Sequence, residues 1–387
     1  MSKKEKQILE GSHAVAEIVR RLKPAVVSAY PITPQTHIVE DLEKMKAEGL
    51  ADFEYINTES EFAAASVVLG ASATGVRTYT ATSSQGLLLM TEVLFNIAGL
   101  RLPVVITCAN RAVSSPINIW NDQQDSVTIR DAGWIQLYGE TNQEVVDLHI
   151  LAYKLAESLM LPVMINMDGF ALTHTYEPVE IPAESLIKKY LPAYVPPKDT
   201  ILDVNNPRSL GTFATPDKYM EIRQELFNDV LAAKKEIVNL NSEFKKVFGR
   251  GLGDDGLVEQ YKTKDAEIIL VAMGSVCGTI KEAIDELRNK GKKVGLLKII
   301  SFRPFPDDEV AAILSKAKHV GVIDKSISIG TEGILASDIK RTCYNKTKAE
   351  IKSFVVGLGG RDVTEKMIGE IVGMVKDKFN ETRFVGK

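Results

Sequence analysis

Short apolar runs at near-regular intervals constrain this chain more than any other feature of its sequence. Residues 25–29 (AVVSA), 53–57 (FEYIN), 76–80 (VRTYT), 104–108 (VVITC) and 163–167 (VMINM) each span five residues, and stretches of helical periodicity lie between them. A strand buried on both faces reads as a nearly continuous apolar run, and parallel strands need a crossover long enough to hold a helix. The pattern predicts an α/β fold with a parallel sheet covered by helices. It breaks over residues 190–216, where Pro192, Pro196, Pro197, Pro207 and Pro216 fall among Asp, Asn and Gly. Proline cannot donate to a sheet ladder, so this stretch reads as an extended arm. Residues 218–248 then read as a long polar helix, or two, with Ile222, Leu226, Val230 and Ile237 on a packed side. A second α/β pattern follows, with apolar runs at 267–273, 294–300, 320–324 and 353–358. Two α/β units are expected, residues 1–250, with arm and connector included, and residues 262–387.

A chain of 387 residues holds about two to three domains at ~150 residues each, so it needs no disulfide or metal staple. Its 47 basic and 51 acidic residues give a net charge of −4, without the basic footprint of a nucleic-acid binder. Cys108, Cys277 and Cys343 are far apart, and the absence of any CxxC leaves no local motif for an iron–sulfur cluster or zinc knuckle. The five histidines form no HExxH or comparable spacing, and no metal is expected. No apolar stretch reaches 18 residues, and the lysine-rich residues 1–10 are not followed by a signal-like run. No membrane span is expected, and cytoplasm is the expected compartment.

Three polar features stand out. Glu61 opens a helix of small apolar residues (EFAAASVVLG), where burial would raise its pKa and let it exchange a proton near neutrality; an exposed first-turn acid is the plainer alternative. Arg111 follows the 104–108 run at the edge where open α/β sheets bind ligands; its guanidinium suits a carboxylate or phosphate, or else a structural ion pair. The loop Trp120-Asn121-Asp122-Gln123-Gln124-Asp125 reads as an active-site rim or a subunit contact. The turn Gly274-Ser275-Val276-Cys277-Gly278-Thr279 offers backbone amides to an anion, or simply lets a helix pack closely; it is not a dinucleotide fingerprint, and Lys298 stands near the place of the expected acid.

Taken in order, Tyr30-Pro31-Ile32-Thr33-Pro34, Ser60-Glu61, Thr82-Ser83-Ser84-Gln85-Gly86, Asn110-Arg111 and the 122–125 loop resemble the pyruvate:ferredoxin oxidoreductase family. Ser301-Phe302-Arg303-Pro304-Phe305-Pro306 and Gly357-Leu358-Gly359-Gly360-Arg361-Asp362 extend the resemblance over nearly the whole chain. It is nearest to the alpha subunit of the multi-subunit 2-oxoacid enzymes.

The resemblance implies a thiamine-diphosphate-enzyme pyrimidine-binding-type domain, followed by a smaller transketolase C-terminal-like domain. It implies thiamine diphosphate shared with a beta subunit that holds Mg²⁺ and a [4Fe-4S] cluster, a delta subunit or domain with two further clusters, and a gamma subunit. Ferredoxin and coenzyme A would act at the level of the complex. Glu61 resembles the glutamate that hydrogen-bonds the aminopyrimidine N1′ and so promotes proton removal from the thiazolium. Thr33 resembles the threonine on the substrate oxygens, and Arg111 the arginine on the substrate carboxylate. Pro31, Ile32, Ser84 and Gln85 fall at the cofactor. The implied reaction is oxidative decarboxylation of pyruvate to acetyl-CoA and CO₂. Phe62, where single-chain pyruvate enzymes tend to have glycine, and a variant 122–125 loop leave room for 2-oxoisovalerate or an aryl-2-oxoacid. A cluster-free thiamine-dependent transketolase- or dehydrogenase-like subunit and a non-catalytic assembly subunit are the other readings.

Overall fold

The computed structural model describes residues 6–387, so the first half of the lysine-rich start lies outside the described residues. In chain order, β1 (Gln7–Glu10), β2 (Val26–Ala29), β3 (Glu54–Asn57), β4 (Thr78–Thr82) and β5 (Val105–Asn110) come first. β6 (Ile135–Tyr138), β7 (Val163–Asp168) and β8 (Tyr176–Val179) complete the part before the arm. Beyond it lie β9 (Val258–Tyr261), β10 (Ile268–Ala272), β11 (Val294–Ile299), β12 (Ser301–Arg303), β13 (His319–Asp324), β14 (Glu350–Val355) and β15 (Arg383–Phe384).

The larger sheet has the order β12-β6-β7-β5-β4-β2-β3, and only β12 runs antiparallel to its neighbour. The second has the order β15-β14-β13-β10-β11-β9, with β9 antiparallel at the edge. β1 and β8 form a separate antiparallel ribbon. The apolar runs mark the interior strands: all six residues of β5 and of β7 are buried.

The pairing of Ser301–Arg303, expected in the second unit, crosses to the first sheet. β12 leaves that unit and pairs with β6, Ser301 opposite Leu137 and Arg303 opposite Gln136 across a bulge. The second sheet in turn takes in β9, just ahead of residue 262. The connector is one helix, Pro216–Phe248, with proline in its first turn and Gly249 closing it in the left-handed conformation. Its C-terminal half is packed: Ala233, Ile237, Leu240, Phe244 and Phe248 are buried, with Tyr190 edge-on to Phe244. Its N-terminal part is not, since Ile222 is exposed and only Leu226 is buried there. The arm has no regular element beyond an Asp203–Asn206 bridge, and it exposes Val195, Val204 and Phe213.

Two buried polar clusters fasten the units. At the end of β7, Asp168 accepts from Ser275 N (2.9 Å) and Ser275 Oγ (2.5 Å), from Gln123 Nε2 (3.1 Å) and from Asn121 Nδ2 (3.2 Å). Lys325 Nζ stands 3.4 Å from the same carboxylate and also bonds Asn121 Oδ1. The anion at the Gly274 turn is therefore Asp168 itself, capping the helix Val276–Asn289 from across the domain boundary. Gly274 is required: its φ is +77°, and a Cβ there would lie 2.4 Å from Gln123 Nε2. In the second cluster, Lys298 bonds Glu140 (2.7 Å), Glu144 (2.6 Å) and Glu259, while Lys281 bonds Glu140 and Glu259 (both 2.7 Å). Burial pulls the Lys298 pKa down, but three carboxylates outweigh it and hold the pKa well above the usual value. No helix among the described residues is long and apolar enough to cross a membrane.

Candidate active site

β5, β4 and β2 are neighbours, so the loops leaving their C-terminal ends meet at one edge of the sheet. After β2, the chain turns through Pro31, Ile32 and Thr33, with a cis peptide before Pro34. Gln35 pins this loop: its backbone N donates to Ile32 O (2.8 Å), its Oε1 accepts from Ile32 N (3.1 Å), and its Nε2 donates to Ala81 O on β4 (2.9 Å). Pro31 and Thr33 are exposed.

Ser60 caps the helix Glu61–Ala73 by accepting from Ala63 N (3.2 Å), which sets Glu61 in its first turn. The exposed-acid alternative is corrected here, because Glu61 is only 7% exposed. Its carboxylate lies against Gly86, where an added Cβ would stand 2.7 Å from Glu61 Oε1 and 2.5 Å from Thr82 Oγ1. Among the described residues no hydrogen-bond donor reaches that carboxylate. Thr82 Oγ1 and Gln85 Nε2, on the same turn, are buried without partners. Two buried polar atoms without partners, next to an unpaired carboxylate, leave hydrogen-bonding capacity of both kinds unused at this turn.

Ser84 adopts a left-handed φ of +49°, and its Oγ lies 2.5 Å from both Ala112 O and Gln85 Oε1. A hydroxyl has one proton, so reversing the Gln85 amide would let its NH₂ donate to Ser84 while Ser84 donates to Ala112. In either assignment one Gln85 amide atom stays free for a ligand.

Arg111 is buried, and its guanidinium donates to Thr33 O (2.9 Å) and Asn118 O (3.0 Å), joining two of the expected site residues. Burial lowers its pKa from the ordinary value, against the pull of Asp125. Among the described residues no carboxylate pairs with the guanidinium.

Asp125 organises the site from beneath. It accepts from Ser84 N and Arg111 N (both 2.9 Å), Ser126 N (2.7 Å) and Asn110 Nδ2 (2.9 Å). Burial raises its pKa, and those four donors oppose the shift. The expected rim loop is a contact within the chain: Gly359 N donates to Asp122 Oδ2 (3.2 Å) and Gly360 N to Asn121 O (2.6 Å). Burial pushes the Asp122 carboxyl up to about 6.

Sequence reasoning singled out neither Gln35 nor Asp168. The edge-of-sheet argument applied to Arg111 would have found Asp168, the last residue of the 163–168 strand. His149 is a satisfied core residue. Tyr79 OH donates to Thr107 Oγ1, which lies 2.7 Å from His149 Nε2, and Nδ1 lies 2.7 Å from Val145 O; burial lowers the pKa to about 4.

The model of the family "Pyruvate flavodoxin/ferredoxin oxidoreductase, thiamine diP-bdg" matches residues 17–242, and "Pyruvate:ferredoxin oxidoreductase core domain II" matches residues 266–368. The chain is 47% identical over 382 residues to pyruvate synthase subunit PorA of Methanothermobacter thermautotrophicus, covering 98% of each chain. It is 48% identical to the subunit of that name from Methanocaldococcus jannaschii (99% of this chain, 98% of that one), and 43% identical to ketoisovalerate oxidoreductase subunit VorA of Pyrococcus horikoshii (96% and 94%). Among solved structures, 2-oxoglutarate:ferredoxin oxidoreductase from Magnetococcus marinus matches at TM-score 0.74 and 19% identity, over 97% of this chain and 66% of that one. A split-gene transketolase matches at TM-score 0.55 and 13% identity, over 95% and 98%. The fold is a thiamine-diphosphate pyrimidine-binding domain followed by a transketolase C-terminal-like domain.

Proposed function

We infer from the family to which this chain belongs, the pyruvate flavodoxin/ferredoxin oxidoreductases, that it is the alpha subunit of an enzyme oxidatively decarboxylating pyruvate to acetyl-CoA and CO₂, with electrons passing to ferredoxin. Greater identity to pyruvate synthase subunits than to the ketoisovalerate subunit favours pyruvate over a branched 2-oxoacid. The division into residues 1–250 and 262–387 belongs to the same proposal, as does a cytoplasmic setting.

The observation that carries the reading is buried Glu61, whose carboxylate has no partner among the described residues and is given room by Gly86. Thiamine diphosphate supplies, when bound, the carbanion chemistry that decarboxylation of a 2-oxoacid requires. Glu61 would hold a proton between its carboxylate and a ring nitrogen of that cofactor. Gln85 and Ser84 would bond the same ring, and Pro31 and Ile32 would flank it. Arg111 keeps donors beyond those bound to Thr33 O and Asn118 O, and these would take the substrate carboxylate as a planar fork. Thr33 would present its hydroxyl to the substrate oxygens. Asp125 holds the Ser84 and Arg111 backbones in register for both tasks.

Tyr30, Phe62, Leu89 and Phe95, on the segments that follow β2, β3 and β4, are each 39–51% exposed. That apolar rim supports a site completed by a partner, in this reading a beta subunit bearing Mg²⁺ and a [4Fe-4S] cluster, with gamma and delta subunits in the same assembly.

The test is Glu61→Gln in the assembled complex. Turnover is expected to fall on the order of 10²-fold or more, the scale of a lost acid–base group, with assembly and thiamine diphosphate content unchanged. Wild-type turnover in that variant removes Glu61 from the mechanism. A panel of 2-oxoacids assigns the substrate.

A further inference from the structure

Glu10, His37 and His174 are far apart in sequence, and no local spacing links them. The fold brings one ligand atom from each to within 4.8 Å of the others. Glu10 ends β1, His37 lies in the first turn of the helix Thr36–Ala47, and His174 follows β7. His37 Nδ1 lies 2.8 Å from Glu10 Oε1, and the two imidazoles stack with centroids 4.6 Å apart.

Were this only an ion pair, His174 would have no part in it. Its Nδ1 lies 2.7 Å from Thr173 Oγ1, and that hydroxyl already accepts from Phe170 N (2.8 Å). The Thr173 hydroxyl has a second lone pair that can accept from a protonated Nδ1, the tautomer in which Nε2 offers a free lone pair. This is how protein ligands to a metal are usually oriented, with the second ring nitrogen held by a neighbour. Burial, and the proximity of His37, lower the His174 pKa.

We propose that Glu10, His37 and His174 form a site for one divalent cation of the zinc class, with three protein ligands and one position open to solvent. Two imidazoles and one carboxylate suit Zn²⁺ and Co²⁺, not Mg²⁺ or Ca²⁺, which take oxygen ligands. Bonds of about 2.0–2.2 Å require the three side chains to adjust around the ion, and the His37 ring, 46% exposed, is free to swing. A bound ion would join three elements directly behind the Pro31–Pro34 loop. The turn after β7 already touches that loop, since a Cβ on Gly169 would stand 2.5 Å from Pro34 Cγ.

The full chain, freed of metal and titrated with Zn²⁺ against a chromogenic chelator, is expected to take up one equivalent. Co²⁺ should give the visible bands of a four-coordinate ion, and Zn²⁺ should raise the melting temperature. His37→Ala and His174→Ala should each abolish uptake, and Thr173→Val should weaken it by about 10–100-fold. His13→Ala, on the neighbouring His13–Asp41 contact (2.9 Å), should leave it unchanged. Failure of the wild-type chain to bind Zn²⁺, or equal affinity in a His37→Ala/His174→Ala double variant, overturns the site. Should the variants fail to fold, NMR of the Co²⁺-bound wild type decides. Contact-shifted protons from two imidazoles support the proposal, and signals from one or none overturn it.

Discussion

Removing the Asp168 side chain should loosen the joint between the two halves of the molecule. Asp168 is 1% exposed and accepts from four groups besides facing Lys325, itself 8% exposed. In Asp168→Ala the ammonium stays buried with Asn121 Oδ1 as its remaining acceptor, and Ser275 N–H at the helix terminus loses its partner. Breaking a buried pair from one side costs about 3–5 kcal/mol, chiefly because the other charge is left uncompensated. Removing both charges avoids that term, so Asp168→Ala/Lys325→Met should be more stable than the sum of its single variants by about 2 kcal/mol or more. The assay is denaturant unfolding of the full chain for wild type, both singles and the double. Burial raises the Asp168 pKa, but Lys325, Ser275 and Gln123 outweigh it and hold the carboxyl below its usual value. A depressed carboxyl contributes its stability above the unfolded value of about 3.9 and loses it only as pH falls through the lower folded value. The wild-type-minus-variant difference should therefore be flat from pH 5 to 8. A loss under about 1 kcal/mol in Asp168→Ala, or strict additivity in the cycle, would refute the reasoning.

Arg111→Lys keeps the charge but loses the planar fork that reaches Thr33 O and Asn118 O, so KM for the 2-oxoacid should rise while cofactor affinity holds; steady-state kinetics of the complex test this. Gly86→Ala drives a methyl group into Glu61 and Thr82, and should cut turnover sharply for about 1–3 kcal/mol of stability, read by kinetics beside unfolding. Asp122, pushed up to about 6 by burial, works in the opposite sense to Asp168: its contribution is present below the unfolded value and is lost as pH rises through 6. Between pH 4 and 7 this amounts to at most about 3 kcal/mol, and Asp122→Asn should remove it from the pH dependence of unfolding.

The interior strands were legible because burial on both faces writes itself into sequence as apolar runs. β5 and β7 are the plainest cases. β12 was not legible: a three-residue strand carries no periodicity, and its pairing with β6 is decided by how two remote segments pack. The Glu61 helix was legible from its cap and small residues. Whether its carboxylate was wet or dry was not, because the answer depends on Gly86 in another loop. Arg111 could be found from its place at a strand end, whereas its hold on Thr33 O required the tertiary fold. The Gly274 turn shows how a correct local reading can miss the partner. The amides do bind an anion, and that anion belongs to the protein. The connector misled at Ile222 because its periodicity runs past the end of the surface it packs on.

The return of β12 to the first sheet has a consequence for synthesis on the ribosome. β6 emerges early, yet the strand that covers its outer edge follows about 160 residues later, roughly 8–30 s at 5–20 residues per second. Throughout that interval the nascent first half carries an unpaired edge beside apolar Ile135 and Leu137, the kind of surface to which another growing chain can add. Coding the two halves as separate polypeptides would make that exposure permanent until they met. The stitch that locks the finished molecule thus makes its birth a matter of timing, and ties the yield of soluble chain to how quickly translation reaches Arg303.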